Sequence, residues 1–233
     1  MASVLGRLHG ERVVHVLHIR KTGGSALKEA LDRCPARPGL RIAFHRHEVR
    51  LRDIPRRDEV VFFVRDPVAR YVSGFNDRLR EGRPRYQSPW SAEERLAFER
   101  FPTADDLAIA LYASDEQTRR EARRAMRSVR NVSSRLTDWL DGPRLVEARR
   151  DGILLIGSTE TMASDFSQLK ACLELPSSCI LPNDEAAHRA PVTQPTALSP
   201  KGVEHVRRWF AADEAMLWLC RSIQATKTPT GAR

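Results

Sequence analysis

Apolar positions along this chain follow two rhythms. Some form short unbroken runs, and others recur every three or four residues. The run "RVVHVLHI" (Arg12–Ile19) predicts a buried strand. From Ser25 the apolar residues Leu27, Ala30, Leu31 and Cys34 follow helical spacing, with Gly24 or Ser25 as the cap and Pro35 and Pro38 as the stop. "RIAF" (Arg41–Phe44) predicts a second short strand, and Val60–Val64 another. Asp66 then Pro67 predicts a helix start, because Asp caps and Pro is pre-set for the first helical position. Val68, Val72, Phe75 and Leu79 form its core-facing stripe.

Beyond an irregular loop at 81–92, helical spacing returns over Leu96–Leu111, broken at Pro102, and over Asp115–Leu140. "GILLIGSTE" (Gly152–Glu160) predicts a strand and turn, and "DFSQLKACLEL" a helix. Residues 181–200 read as a proline-rich loop before a closing helix or helix pair. Strands alternating with helices predict a three-layer α/β fold, with a mainly parallel central sheet flanked by helices. A length of 233 residues supports one core, so a single domain over 1–233 is expected, flexible at 1–11 and 226–233.

No apolar run reaches membrane-spanning length, and the N-terminus shows no signal-type apolar segment. Cys34, Cys172, Cys179 and Cys220 lack CxxC or zinc spacing, which makes a reducing, cytoplasmic compartment the default. Net charge is +9, carried overwhelmingly by arginine. A G+C-rich genome accounts for such a bias as well as an anionic substrate does. Lysine is confined to Lys21, Lys28, Lys170, Lys201 and Lys227, and one of these lies in a strand-to-helix turn rich in glycine.

That turn, Lys21–Ser25, would present backbone N–H groups at a helix start to an anion. Gly23 and Gly24 permit close approach, Thr22 and Ser25 add hydroxyls, and Lys21 adds a point charge. Walker A spacing is absent, so the loop calls for an anion without requiring Mg²⁺. Arg65 lies where a predicted strand ends, the place at which open α/β sheets hold ligands. With Ser73, two turns into the next helix, it could grip a second phosphate, or it could simply pair with Asp66.

Taken in order, "HIRKTGGS" resembles the "HIPKTGGTS" loop and "VVFFVRDPVARYVSGF" the "RDPxxRxxSxF" motif of sulfotransferases that use PAPS (3′-phosphoadenosine 5′-phosphosulfate). The likeness is to the carbohydrate type related to heparan sulfate 2-O-sulfotransferase, and to its small bacterial relatives. "VRNVSSRLTDWLDG", "ILLIGSTETMASDFSQL" and "VRRWFAADEAMLW" are similar to later family segments, while 81–130 matches weakly and Arg20 stands where the family has proline. The resemblance implies a P-loop-like fold. It assigns Lys21, Thr22, Gly23, Gly24, Ser25 and Ala26 to the 5′-phosphosulfate, and Arg65 and Ser73 to the 3′-phosphate. His188 and Arg189 would lie in a loop near the nucleotide.

"FHRHEV" carries His45 and His47, and the related enzymes have an HxH at this place. Alternation along an extended segment would turn both rings to one side, and an imidazole suits removal of a hydroxyl proton. His47 is the expected base, with His45 assisting or orienting it and Lys21 stabilising the departing bridging oxygen. HxH also suggests metal, but no third ligand of suitable spacing follows, so no metal is expected. His15 and His18 read as structural.

The acceptor is expected to be a hydroxyl on a carbohydrate or glycoconjugate, including anionic glycans and glycolipids. Arg83, Arg85 and Tyr86 are the candidates to line its cleft, against the reading of an exposed basic loop. The competing functions are a small-molecule kinase using ATP and Mg²⁺, and a non-catalytic basic module for RNA or a polyanion. Arg119–Arg124 have acidic neighbours at helical spacing and read as a solvated face, so no nucleic-acid partner is expected. Neither acceptor identity nor oligomeric state is legible in the sequence.

Overall fold

A computed structural model describes residues 11–84, 88–182 and 196–227. The chain divides into two compact units, Met1–Arg65 with Leu136–Asn183 and Ala215–Arg233, and Asp66–Arg135 with Asp184–Glu214.

The first unit is built on four parallel strands: β1 (Arg12–Leu17), β2 (Leu40–Phe44), β3 (Glu59–Val64) and β4 (Ile153–Ser158), in the order β2-β1-β3-β4. The strands read as continuous apolar runs because both faces of the sheet are covered. Val14, Val16, Val61, Phe63 and Leu155 pack on one face against Leu27 and Ala30 of α1 (Gly24–Asp32) and Phe166, Leu169 and Leu173 of α8 (Met162–Leu173). Leu17, Val60, Phe62, Val64 and Ile156 point the other way. There they meet Trp139 and Leu140 of α6 (Thr137–Leu140), Val146 of α7 (Pro143–Ala148), and Met216, Leu217, Cys220 and Ile223 of α10 (Ala211–Ala225). The expected three-layer α/β arrangement with a parallel sheet is what this unit forms. Cys34 and Cys179, 145 positions apart, form a disulfide with Cα atoms 5.0 Å apart. The cysteines are therefore not as scattered in space as in sequence.

The second unit is helical: α2 (Pro67–Leu79), α3 (Ala92–Arg100), α4 (Ala104–Ala110), α5 (Glu116–Ser128) and α9 (Pro200–Trp209). Its core joins Tyr71, Val72, Phe75, Phe98, Leu107, Leu111, Met126 and Phe210. Asp66 caps α2 by accepting from the Ala69 N–H at 3.0 Å. Ser91 with Glu94 and Thr103 with Asp106 form capping boxes that start α3 and α4 on either side of Pro102. The long helical stretch expected over Asp115–Leu140 is interrupted. It stops at Ser128 and turns through Asn131, whose φ is +68°, before α6 begins.

Arg70, the second arginine of "RDPVAR", is 2% exposed and pairs with Asp213, which is 0% exposed. It also donates to the Ser134 carbonyl at 2.9 Å. Removing one partner leaves a buried charge unmatched, so Arg70→Ala is expected to cost about 3–5 kcal/mol. A urea midpoint measurement checks this. The double replacement Arg70→Met with Asp213→Leu should lose less than Arg70→Ala alone.

Candidate active site

β1 lies between β2 and β3, so the chain leaves its C-terminal end on one side for β2 and returns on the other for β3. In an open parallel sheet this reversal opens a crevice beyond the strand ends, where ligands bind. The turns leaving β1, β3 and β4 all emerge at that edge.

The turn after β1 is tightly wound. Thr22 is buried and its hydroxyl donates to the Ile19 carbonyl at 3.0 Å, so it braces the loop from inside. Lys21 adopts a left-handed conformation, φ +64°, uncommon for a residue with a side chain. Arg65, at the end of β3, donates from Nη1 to the Lys21 carbonyl at 3.3 Å. The two cationic positions of the two sequence motifs therefore meet in this unit.

Gly23 has φ +79°, and a Cβ there would sit 2.3 Å from Cε of Met162, at the start of α8. A Cβ on Gly24 would sit 2.2 Å from the His18 ring. The same sheet edge is closed by Thr159, whose N–H donates to the Val64 carbonyl at 3.0 Å.

Helix α1 begins at Gly24 with no side-chain cap and no acidic residue in its first turn. A main-chain hydrogen bond from the Leu27 N–H to the Gly23 carbonyl, 3.1 Å, closes its first turn. The N–H groups of Gly24, Ser25 and Ala26 precede it at the positive end of the helix. With Lys21 and half-buried Arg65 alongside, this donor set suits a multiply charged anion such as a phosphosulfate.

His45 and His47 follow β2, and each meets a different histidine. The His45 Nε2 is 2.8 Å from Nδ1 of His15, with the rings stacked at 5.1 Å. His15 in turn reaches Asp58 through Nε2, 3.2 Å. His47 places Nδ1 2.7 Å from the His18 carbonyl, and its ring centroid is 3.9 Å from that of His18. A carbonyl only accepts, so Nδ1 carries the hydrogen and Nε2 holds the lone pair. Trp139 fixes the backbone beside it by donating from Nε1 to the His47 carbonyl at 2.7 Å.

Burial lowers the pKa of His47, opposed by the hydrogen bond to His18; Arg20 and Lys21 lower it further and Glu48 raises it. Burial, then the His15 charge, lowers His45. His18 is pushed down to about 4 by burial, then by His47, Arg20 and Lys28. All three histidines are thus neutral at pH 7. When unfolded they protonate near 6.5, so the unfolded chain binds more protons between that pH and their folded values. The stability these neutral rings contribute is full above about pH 6.5 and is lost as pH falls through their lowered folded values, about 4 for His18. The urea midpoint should therefore drop between pH 7 and pH 5, and less steeply in His18→Phe.

Ser73 is half-buried on α2 of the helical unit. Arg78 on the same helix is buried and donates to Glu94, so it is a structural cation. Arg83 is exposed and pairs with Glu81 at 2.8 Å. Arg85, Tyr86, His188 and Arg189 lie outside the described residues. Among the described residues no group of three His, Cys, Asp or Glu side chains is arranged to hold a metal, and no helix is long and apolar enough to cross a membrane. In the sequence His18 and His15 read as structural because they flank or occupy an apolar strand. Only their pairing across to β2 reveals their company.

No curated protein and no solved structure matches the chain. A family model does, over residues 8–210, and it is that of the sulfotransferase family.

Proposed function

Because the chain belongs to the sulfotransferase family, we propose that it moves a sulfuryl group from PAPS to a hydroxyl of a carbohydrate or glycoconjugate. The likeness to the heparan sulfate 2-O type suggests this acceptor class. The observation that carries the reading is one sheet edge. It combines an uncapped helix start beside Lys21 and Arg65 with a neutral His47 whose Nε2 is left to accept a proton.

PAPS would supply an activated sulfuryl group on a phosphosulfate anhydride. The N–H groups of Gly24, Ser25 and Ala26, the Ser25 hydroxyl and Lys21 would hold the 5′ end. Gly23 gives the turn its left-handed step, and Thr22 braces the loop. Arg65 and Ser73 are assigned to the 3′-phosphate, and Arg83, Arg85 and Tyr86 to the acceptor. His188 and Arg189 keep the assignment to the nucleotide loop. His47 Nε2 takes the acceptor's proton as the hydroxyl oxygen attacks sulfur, and His45 assists. Lys21 offsets charge growing on the bridging oxygen. Sulfuryl transfer in line gives a protein little covalent work, so positioning and electrostatics carry the rate.

The test is thermal unfolding with adenosine 3′,5′-bisphosphate, the product of the donor. At a hundredfold excess over Kd, a ligand of the folded state stabilises by about 2.7 kcal/mol. A clear upward shift is expected, larger than with ATP and Mg²⁺. A shift with ATP and Mg²⁺ alone would mark a kinase, and no shift at saturation would remove the donor assignment.

A further inference from the structure

We propose that His18 is a positioning residue for His47, its ring forming the plate that sets the base with Nε2 turned to the acceptor hydroxyl. This rests on the reading of His47 as the base. Three contacts fix the plate. The His18 ring meets Phe44 of β2 edge-on at 5.2 Å, it fills the space where Gly24 lacks a Cβ, and it lies under His47 at 3.9 Å with a tilt of 35°. The His18 backbone holds the same partner, through the carbonyl that accepts from His47 Nδ1. One residue thus fixes both the tautomer and the plane of the base.

The plate has to stay uncharged. When His47 gains the acceptor's proton it becomes an imidazolium, and a second cation 3.9 Å away would oppose that step. Arg20 and Lys28, and His47 once it is protonated, disfavour protonation of His18 together with burial. Those acting on His47 are Arg20, Lys21 and Glu48. A neutral imidazole can instead offer its π-face to the imidazolium as it forms.

The experiment compares His18→Ala, His18→Phe and His47→Gln by steady-state sulfuryl transfer across pH 4.5–9, with bisphosphate binding measured on each. His18→Ala is expected to lower kcat by roughly tenfold to a hundredfold, the scale of a misplaced catalytic group. Donor KM and bisphosphate affinity should stay within about twofold, because the ring packs beside Gly24 but supplies none of the anion loop's donors. The acid limb of kcat should move up as the His47 ring is wetted. His18→Phe keeps a flat ring and should recover most of kcat. In ¹⁵N spectra His47 should hold the Nδ1–H tautomer in the parent protein and lose that preference in His18→Ala.

A parent-like kcat, acid limb and tautomer in His18→Ala would overturn the proposal, as would His18→Phe as impaired as His18→Ala. Should the alanine variant not fold, His18→Leu removes the flat ring at similar bulk and carries the same expectations. Parent-like turnover in His47→Gln would remove the base instead. The tautomer readout would still report whether His18 sets the ring, so the two failures are distinguishable.

Discussion

His47→Gln is expected to lower turnover by about 10²–10⁴-fold, the usual worth of a general base, while leaving bisphosphate affinity within about twofold. Glutamine keeps a donor for the His18 carbonyl, so the main-chain contact at 2.7 Å has a replacement. It has no lone pair of imidazole basicity to offer the acceptor hydroxyl. The pH profile sharpens the claim. Burial lowers the His47 pKa, so the parent enzyme should stay active some way below pH 6.5 before its acid limb falls. In His47→Gln that limb should vanish along with most of the rate. His45→Gln should cost less, since His45 Nε2 is already engaged by His15 at 2.8 Å. The reverse ranking would make His45 the base.

Lys21→Ala is expected to lower turnover by about 10²–10³-fold, comparable with removing one preorganised donor from a developing charge. Bisphosphate affinity should fall much less, because the α1 N–H groups and Arg65 remain. Lys21 holds a left-handed conformation, φ +64°, so a side-chain deletion could act through the backbone. Lys21→Gly answers this: glycine adopts that conformation freely, so a similar loss in both variants attributes the effect to the missing ammonium. The lysine charge also lowers the His47 pKa. Both variants should therefore raise the acid limb of the remaining activity. Parent-like turnover in Lys21→Gly would end the assignment of this lysine to catalysis.

The strands and the helices that follow them were legible because each carries a local signal. Val60–Val64 is apolar throughout because both sheet faces are covered, and Asp66–Pro67 caps the next helix through its own side chain. The break at Asn131 was not legible, since helical spacing continues through it and only the tertiary fold imposes its φ of +68°. Helix α7 is illegible for a related reason: Pro143–Ala148 is too short to show a period. Pairings between distant positions leave no local trace at all. Arg70 with Asp213, Cys34 with Cys179 and His18 with His47 belong to this class. In the candidate site the anion loop and Arg65 were readable as motifs. The contact between them, and the separate partners of His45 and His47, needed the sheet order to bring β2 and β3 to either side of β1.

Gly24 bears on how such a chain can drift over generations. A glycine in an anion loop is ordinarily taken as room for the ligand, yet here the space beside it is filled by the His18 ring. Any larger residue at 24 has to wait until the ring at 18 has been given up or turned aside. The two positions are thus bound in inheritance though six residues apart. A lineage that loses the ring or turns it aside first gains freedom at 24, while one that keeps it in place holds the glycine whatever anion the loop comes to bind.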